Sequence, residues 1–370
     1  MNRIIKTATI LCVSFALGGC IKGDEPRPEP EARNDVREMR FGVSSPAATR
    51  SNTFDNADEI TSMGVFGFST GATGFASATD RTPNLLYNQK LTRVQDDWEY
   101  NPVVYWPLDE GVNNSFFAYS PHSSEFPAST GLSVSAADKQ GHPTLTYTIP
   151  AGDIDEMRDI LVATPVLDKN RDSSDTEVDD GMVTYRMRHA LSGIAFLFSA
   201  FHPDEQVEEP YYISSVNLTA DNLPVSATLD LGYAPTVSDV YGDGAWGEAR
   251  MGGVNWNLKL AYDPDLEPGF EMSSTDVVDP TTENGVNTLL LLPKDIDAST
   301  RAMVNVGFRH HDKTYAYSVP MPPAYMHAGL VTVFLVTVSV DGISVEFHRT
   351  NTIEEWTDGS PGGVENVEMF

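Results

Sequence analysis

Downstream of Ser51 the chain is built mostly from short runs of β-branched and aromatic residues, broken by Gly, Pro, Asn and Asp. Met63-Gly-Val-Phe-Gly-Phe68 alternates with glycine, and Leu85–Val94, Trp98–Tyr100 and Val103-Val-Tyr-Trp106 follow it. Ser115–Ser120, Thr144–Ile149 and Ile160–Thr164 continue the series. Runs of this length and composition, closed by turn residues, predict strands. Strands that follow one another without intervening helical periods predict packed antiparallel sheets rather than βαβ units.

An acidic loop, Asp168–Gly181, interrupts the series, and a second set of strands begins at Met182. Val183–Phe201 is long and apolar; Tyr211–Ala220, Val225–Leu231, Val254–Tyr262, Val286–Leu292, Met303–Arg309 and Tyr315–Val319 come after it. Leu330–Val340 and Ile343–Phe347 flank Asp341-Gly342, a two-residue hairpin signal. At 11 residues Leu330–Val340 reads as a buried strand, too short for a membrane-spanning helix. No long amphipathic helical pattern occurs. The expected architecture is mainly β, as two tandem β-sandwich domains over residues 51–180 and 181–370.

The first 50 residues have a different character. Met1–Lys6 carries two basic residues, Thr7–Leu17 is a short apolar core, and Leu17-Gly-Gly-Cys20 follows. That order is a secretory signal, with an apolar run too short for a mature membrane helix. Leu-Gly-Gly-Cys resembles the bacterial lipoprotein processing box, which makes residues 1–20 the signal peptide and Cys20 the expected site of lipidation. Cys12 lies inside the signal, so the mature body has no cysteine for a disulfide, a thiol nucleophile or a thiolate metal site. Ile21–Asp35 is polar and proline-rich, an extended linker. Its Lys22-Gly-Asp-Glu25 start resembles signals that send some lipoproteins to the outer face of the outer membrane.

Val36–Ser44 then reads as a strand: Met39, Phe41 and Val43 alternate with Glu38, Arg40 and Gly42. Pro46-Ala-Ala-Thr-Arg50 follows, a small-residue segment of the kind proteases prefer. Residues 21–50 are therefore expected to be a linker plus a removable first strand, released by cleavage after Arg50. Cutting at Arg33 or Arg37 would leave that strand in place, and Arg40 lies within it. Burying Met39, Phe41 and Val43 would contribute about 5–9 kcal/mol as an upper estimate, against roughly 5–15 kcal/mol for a whole domain.

The chain carries a net charge of −29, and 53 acidic residues face only 22 basic ones once Arg3 and Lys6 leave with the signal. Such a surface repels nucleic acid and anionic lipid, so neither is an expected partner. Residues 20–50 hold six basic and six acidic side chains, so trimming there leaves the net charge of the body unaltered.

Several segments, taken in order, resemble the fimbrillin-like proteins, the subunits of type V pili. Trp98-Glu-Tyr100-Asn-Pro102-Val-Val-Tyr-Trp106-Pro107 and Phe116-Phe-Ala-Tyr-Ser-Pro121 are similar to that family's first-domain pattern. Arg188-His-Ala-Leu-Ser-Gly-Ile-Ala-Phe196 resembles its domain-junction strand; Leu289-Leu-Leu-Leu-Pro293 and Trp356-Thr-Asp-Gly359 resemble its closing segments. The resemblance implies two transthyretin-like Greek-key sandwiches, export as a lipoprotein anchored in the outer membrane, and trimming by an arginine-specific protease. It also implies assembly into a fimbrium by donor-strand exchange with other pilus subunits, in support of adhesion. No nucleophile or metal set in the sequence supports an enzyme such as a hydrolase, and no cofactor is expected.

Other motifs point elsewhere. Gly67-Phe-Ser69-Thr-Gly71 fits a hydrolase nucleophile elbow, but Ala72–Pro83 lacks the helical period that context requires. Asp168-Lys-Asn170-Arg-Asp172 opens like a calcium loop, yet Ser173 stands where glycine belongs and Asp179 where glutamate belongs. His310 and His311 point to opposite faces of a strand, and His189, His202 and His327 have no carboxylate at ligand spacing, so no metal site is expected. Gly232–Trp256 gathers Tyr241, Trp246 and Trp256 among glycines and acidic residues. These aromatics either cover a core edge or form a ligand loop for a host protein or glycan. The alternative function is thus an unprocessed surface lipoprotein acting as a binding module.

Overall fold

The structure is a computed structural model that describes residues 36–44, 60–126, 131–152, 154–200, 209–265, 267–273, 276–281 and 288–352. The chain divides after Val36 into two units, and the architecture below is that of the second, Arg37–Phe370. Cys20, Arg50, the linker before Val36 and the Trp356 segment lie outside the described residues.

The fold is mainly β. Its first strands are β1 (Arg40–Ser44), β2 (Ser62–Gly71), β3 (Leu86–Val94), β4 (Asp97–Glu99), β5 (Asn113–Ser120), β6 (Leu132–Val134) and β7 (Thr144–Thr148). Next come β8 (Leu161–Ala163), β9 (Val166–Lys169), β10 (Val178–Asp179), β11 (Met182–His189), β12 (Ser192–Ala200) and β13 (Tyr211–Asp230). The last are β14 (Arg250–Asn257), β15 (Phe270–Met272), β16 (Leu289–Leu291), β17 (Met303–His310), β18 (Lys313–Pro320), β19 (Leu330–Ser339) and β20 (Gly342–Thr352).

Three sheets result among the described residues. The first runs β1-β11-β8-β5-β2-β3-β4, with β10 on β11 and β9 on β5. The second is β16-β12-β19-β20. The third runs β18-β17-β13-β7-β6, with β14 and β15 also on β13.

Strand β2 shows why the first sheet is apolar on both faces. Met63 and Val65 enter a smaller core, whereas Phe66 and Phe68 enter a larger one that reaches into the other two sheets. β5 divides the same way, Phe116 and Ala118 to the small core and Phe117 and Tyr119 to the large. Alternation on a strand with two buried faces yields a continuous apolar run, which matches both sequences. Gly64 leaves room for a ring here: a Cβ at that position would lie 2.3 Å from Tyr119.

The expected boundary between residues 180 and 181 falls inside a paired unit, because β10 and β11 lie antiparallel across it. Pairing crosses it again where β7 joins β13, from Ser226 opposite Thr148 to Asp230 opposite Thr144. Val183–Phe201, one apolar run in the sequence, breaks at Ala190-Leu191 into β11 of the first sheet and β12 of the second. Conversely, Tyr211–Ala220 and Val225–Leu231 merge into the 20-residue β13, which pairs β15 and β17 early, then β14, then β7. The late hairpin turns one residue before its expected place: Ser339 pairs with Gly342, so Val340-Asp341 forms the loop.

Candidate functional site

Segment 37–44 lies in a seam between two backbone edges. On one side β1 runs parallel to β11, from Arg40 opposite Met182 to Ser44 opposite Arg186. On the other, the Met39 amide donates to the Val104 carbonyl (3.0 Å) and the Trp106 amide donates to the Arg37 carbonyl (2.9 Å). Glu38 and Tyr105 complete this antiparallel contact. The segment thus joins the two ends of a chain stretch, 100–189, that has no other backbone ladder between Tyr105 and β11 among the described residues.

Alternation decides what the seam holds. Met39 and Phe41 are buried at 0% and 4% exposure, while Arg40 and Ser44 face out. Val43 is half-buried, which corrects the expectation of three fully buried side chains. At roughly 1.5–3 kcal/mol each, Met39 and Phe41 contribute about 3–6 kcal/mol as an upper estimate, and Val43 less than its full share.

Phe41 occupies an aromatic cage. Its ring meets Tyr100 (5.4 Å) and Phe116 (5.9 Å) edge-on and lies parallel to Tyr185 at 6.1 Å. The Tyr100 hydroxyl donates to the Met39 carbonyl (2.7 Å) and accepts from the Val104 amide (3.2 Å), tying the strand to its antiparallel neighbour. Burial pushes the Tyr100 phenol up to about 12, so it stays a neutral donor throughout the physiological range.

The N-terminal end of the strand is clamped at Gly181. Its carbonyl accepts from the Trp106 indole (2.9 Å) and from the Arg40 amide (3.1 Å). Gly181 sits at φ +75°, and a Cβ there would lie 2.5 Å from Cδ of Arg37. Arg37 donates to the Arg171 carbonyl (2.9 Å), and Arg37 and Arg40 approach Asp180 at 3.8 and 3.4 Å. Those ion pairs lie on an exposed rim and contribute little next to the cage.

The other sequence candidates fall elsewhere. Trp256 is fully buried on β14 and its indole donates to the Pro150 carbonyl (2.9 Å), so it is a core residue and not part of a ligand loop. Its position in an alternating strand opposite Leu218, not the surrounding glycines, sets that fate. Trp246 is half-buried and donates to the Ala190 carbonyl (2.7 Å). Tyr241 stays exposed, stacked on His327 at 4.5 Å. His327 in turn meets Asp243 at 2.6 Å, and His189 meets Asp159 at 2.5 Å in the interior. Tertiary folding supplies these histidines with the carboxylates that sequence spacing did not.

In the acidic loop, Lys169 contacts Asp175 (2.6 Å) and Glu177 (2.8 Å), and Asp168 accepts from the Phe75 amide (2.6 Å). Asp168, Asp175 and Glu177 are thereby engaged by the protein itself, and no group of three or more His, Cys, Asp or Glu converges among the described residues. Ser69 ends up near the close of β2, its amide donating to Asn84, and is followed by a three-residue 3-10 turn, Phe75–Ser77.

Met39 and Phe41 are legible from the period-two pattern of their own strand, whereas the walls around them are not. Tyr185 carried a usable signal, since Val183, Tyr185 and Met187 alternate along β11 and are all buried.

Comparison with known proteins adds the following. Residues 48–356 match the family model described as fimbrillin-like. A curated relative, the fimbrium subunit Fim1C of Phocaeicola vulgatus, is 25% identical over 199 residues, covering 52% of this chain and 50% of that protein. The chain thus aligns with about half the length of that relative. Among solved structures, a fimbrial protein from Bacteroides vulgatus superimposes with a TM-score of 0.61 at 16% identity, over 86% of this chain and 99% of that one. A putative cell adhesion protein from Bacteroides ovatus reaches 0.49 at 14% identity over 86% of this chain and 98% of its own.

Proposed function

Because the chain belongs to the fimbrillin-like family, we propose that it is a fimbrial subunit exported as a lipid-tethered precursor and polymerised by exchange of its first strand. Cys20 would carry the lipid at the outer membrane, and an arginine-specific protease would cut after Arg50. Loss of residues 1–50 removes Met39 and Phe41 from the small core and leaves two unpaired backbone edges, at β11 and at 104–106. A strand from another subunit would then restore both ladders, main-chain hydrogen bonds giving affinity and alternate side chains giving register. The transthyretin-like, Greek-key description of the sandwiches, and a division near residues 180 and 181 that the β10–β11 and β7–β13 pairings cross, belong to the same proposal.

The single observation that carries this reading is the seat of segment 37–44. It precedes the family match at residue 48, yet it supplies the bulky ring at the centre of a cage built from residues 100–185. N-terminal sequencing of protein recovered from the cell surface tests it. The expected first residue is Ser51, with polymers visible in unheated gel samples. Surface protein that begins at an acylated Cys20 and runs as a monomer would point to the second reading, an anchored binding module, for which exposed Tyr241 is the one supporting observation.

A further inference from the structure

Tyr185 holds the one hydroxyl in the cage wall that segment 37–44 leaves unused. Its ring is fully buried and lies parallel to that of Phe41, and Oη has no hydrogen-bond partner among the described residues. The neighbouring phenol behaves differently, since Tyr100 Oη bonds both Met39 and Val104. Each side chain that β1 turns inward or half inward is apolar: Met39 before it, then Phe41 and Val43, the last paired in register with Tyr185 itself. Ser44 reaches the Tyr185 carbonyl at 3.3 Å and not its hydroxyl. A buried hydroxyl without a partner is a standing cost, and it is one the present occupant has no chemistry to relieve.

We propose that Tyr185 makes the cleft selective: its hydroxyl weakens the hold on the chain's own strand and pairs with a hydrogen-bonding side chain on the strand that replaces it. The inference rests on the strand-exchange reading given above. The preferred occupant is an extended segment running parallel to β11, with a large apolar residue in the Met39 place and a Ser, Thr, Asn, Gln or Tyr beside Tyr185. Exchange is then favourable by side-chain chemistry as well as by backbone pairing, because the incoming strand makes a bond that the outgoing one lacked.

Two hydroxyl deletions separate this from a general packing effect. In the full uncleaved chain, Tyr185→Phe is expected to raise the thermal midpoint by roughly 2–4 °C, whereas Tyr100→Phe, which removes a paired hydroxyl, is expected to lower it. After trimming by an arginine-specific protease, Tyr185→Phe is expected to assemble with roughly tenfold lower apparent affinity than wild type. A Tyr185→Phe midpoint that is unchanged or lower overturns the proposal, as does polymer formation equal to wild type. Wild-type protein that trims but never polymerises would sink the strand-exchange reading instead, and the midpoints of the two uncleaved variants would still decide whether the hydroxyl opposes the resident strand.

Discussion

At the scale of single residues, the seam depends on a few positions whose replacement has a stated sign. Phe41 fills a cage with three aromatic walls, so Phe41→Ala leaves a cavity and is expected to destabilise the uncleaved chain by about 3–5 kcal/mol, read from urea unfolding. Gly181 is a second such position. A side chain there meets Arg37 and must hold φ +75°, so Gly181→Ala is expected to cost about 1–3 kcal/mol and to loosen residues 37–41 first. Asp175 supplies a pH signature. The Lys169 ammonium, with the amides of Val178 and Glu177, holds its carboxyl down to about 2. A depressed folded-state value means that the contribution is full above the ordinary carboxylate range near 3.8 and is lost as pH falls toward 2. NMR titration should place the Asp175 midpoint near that value in wild type and higher in Lys169→Met; coincident midpoints would refute the pairing.

At the scale of elements, the informative one is β1. Removing it strips partners from β11 on one side and from residues 104–106 on the other, while β19 keeps its ladders to β12 and β20. Hydrogen exchange on chain trimmed after Arg50 and kept monomeric should therefore accelerate in 100–106 and 182–189 and stay unchanged in 330–338. Uniform acceleration would mean that the strand supports the whole fold instead of one core. The strand itself was legible from the sequence, because a period of two over Met39, Phe41 and Val43 is a local property. Its partners were not. Parallel pairing with β11 joins residues more than a hundred positions apart, and nothing local distinguishes β11 from the other apolar alternating runs. Likewise the break at Ala190-Leu191 and the fusion of two runs into β13 depend on which sheet each half joins. The aromatic loop was half legible: a cluster of rings marked Gly232–Trp256 as unusual, but burial of Trp256 followed from its β14 register opposite Leu218.

For the whole molecule, charge sets the terms of association. Copies of a chain with about thirty excess negative charges repel one another, and the proposed loss of residues 1–50 would not relieve this, since those residues are net positive by two. Polymerisation of trimmed protein is expected to accelerate several-fold between about 10 mM and 150 mM salt as the screening length falls from roughly 30 to 8 Å. A rate that declines with salt would argue for complementary charged patches at the joint. Sequence by itself determined the β class, the cysteine-free body, the acidic surface and the alternating strand before Arg50, because composition and short periods are properties of neighbouring residues. Tertiary structure alone decided that this strand lies between β11 and 104–106, that Phe41 meets Tyr100, Phe116 and Tyr185, and that, among the described residues, one phenol there is paired and the other is not. Those facts come from closing long stretches of chain onto one another, and a hydrogen bond made or missed across such a distance leaves no trace in local pattern.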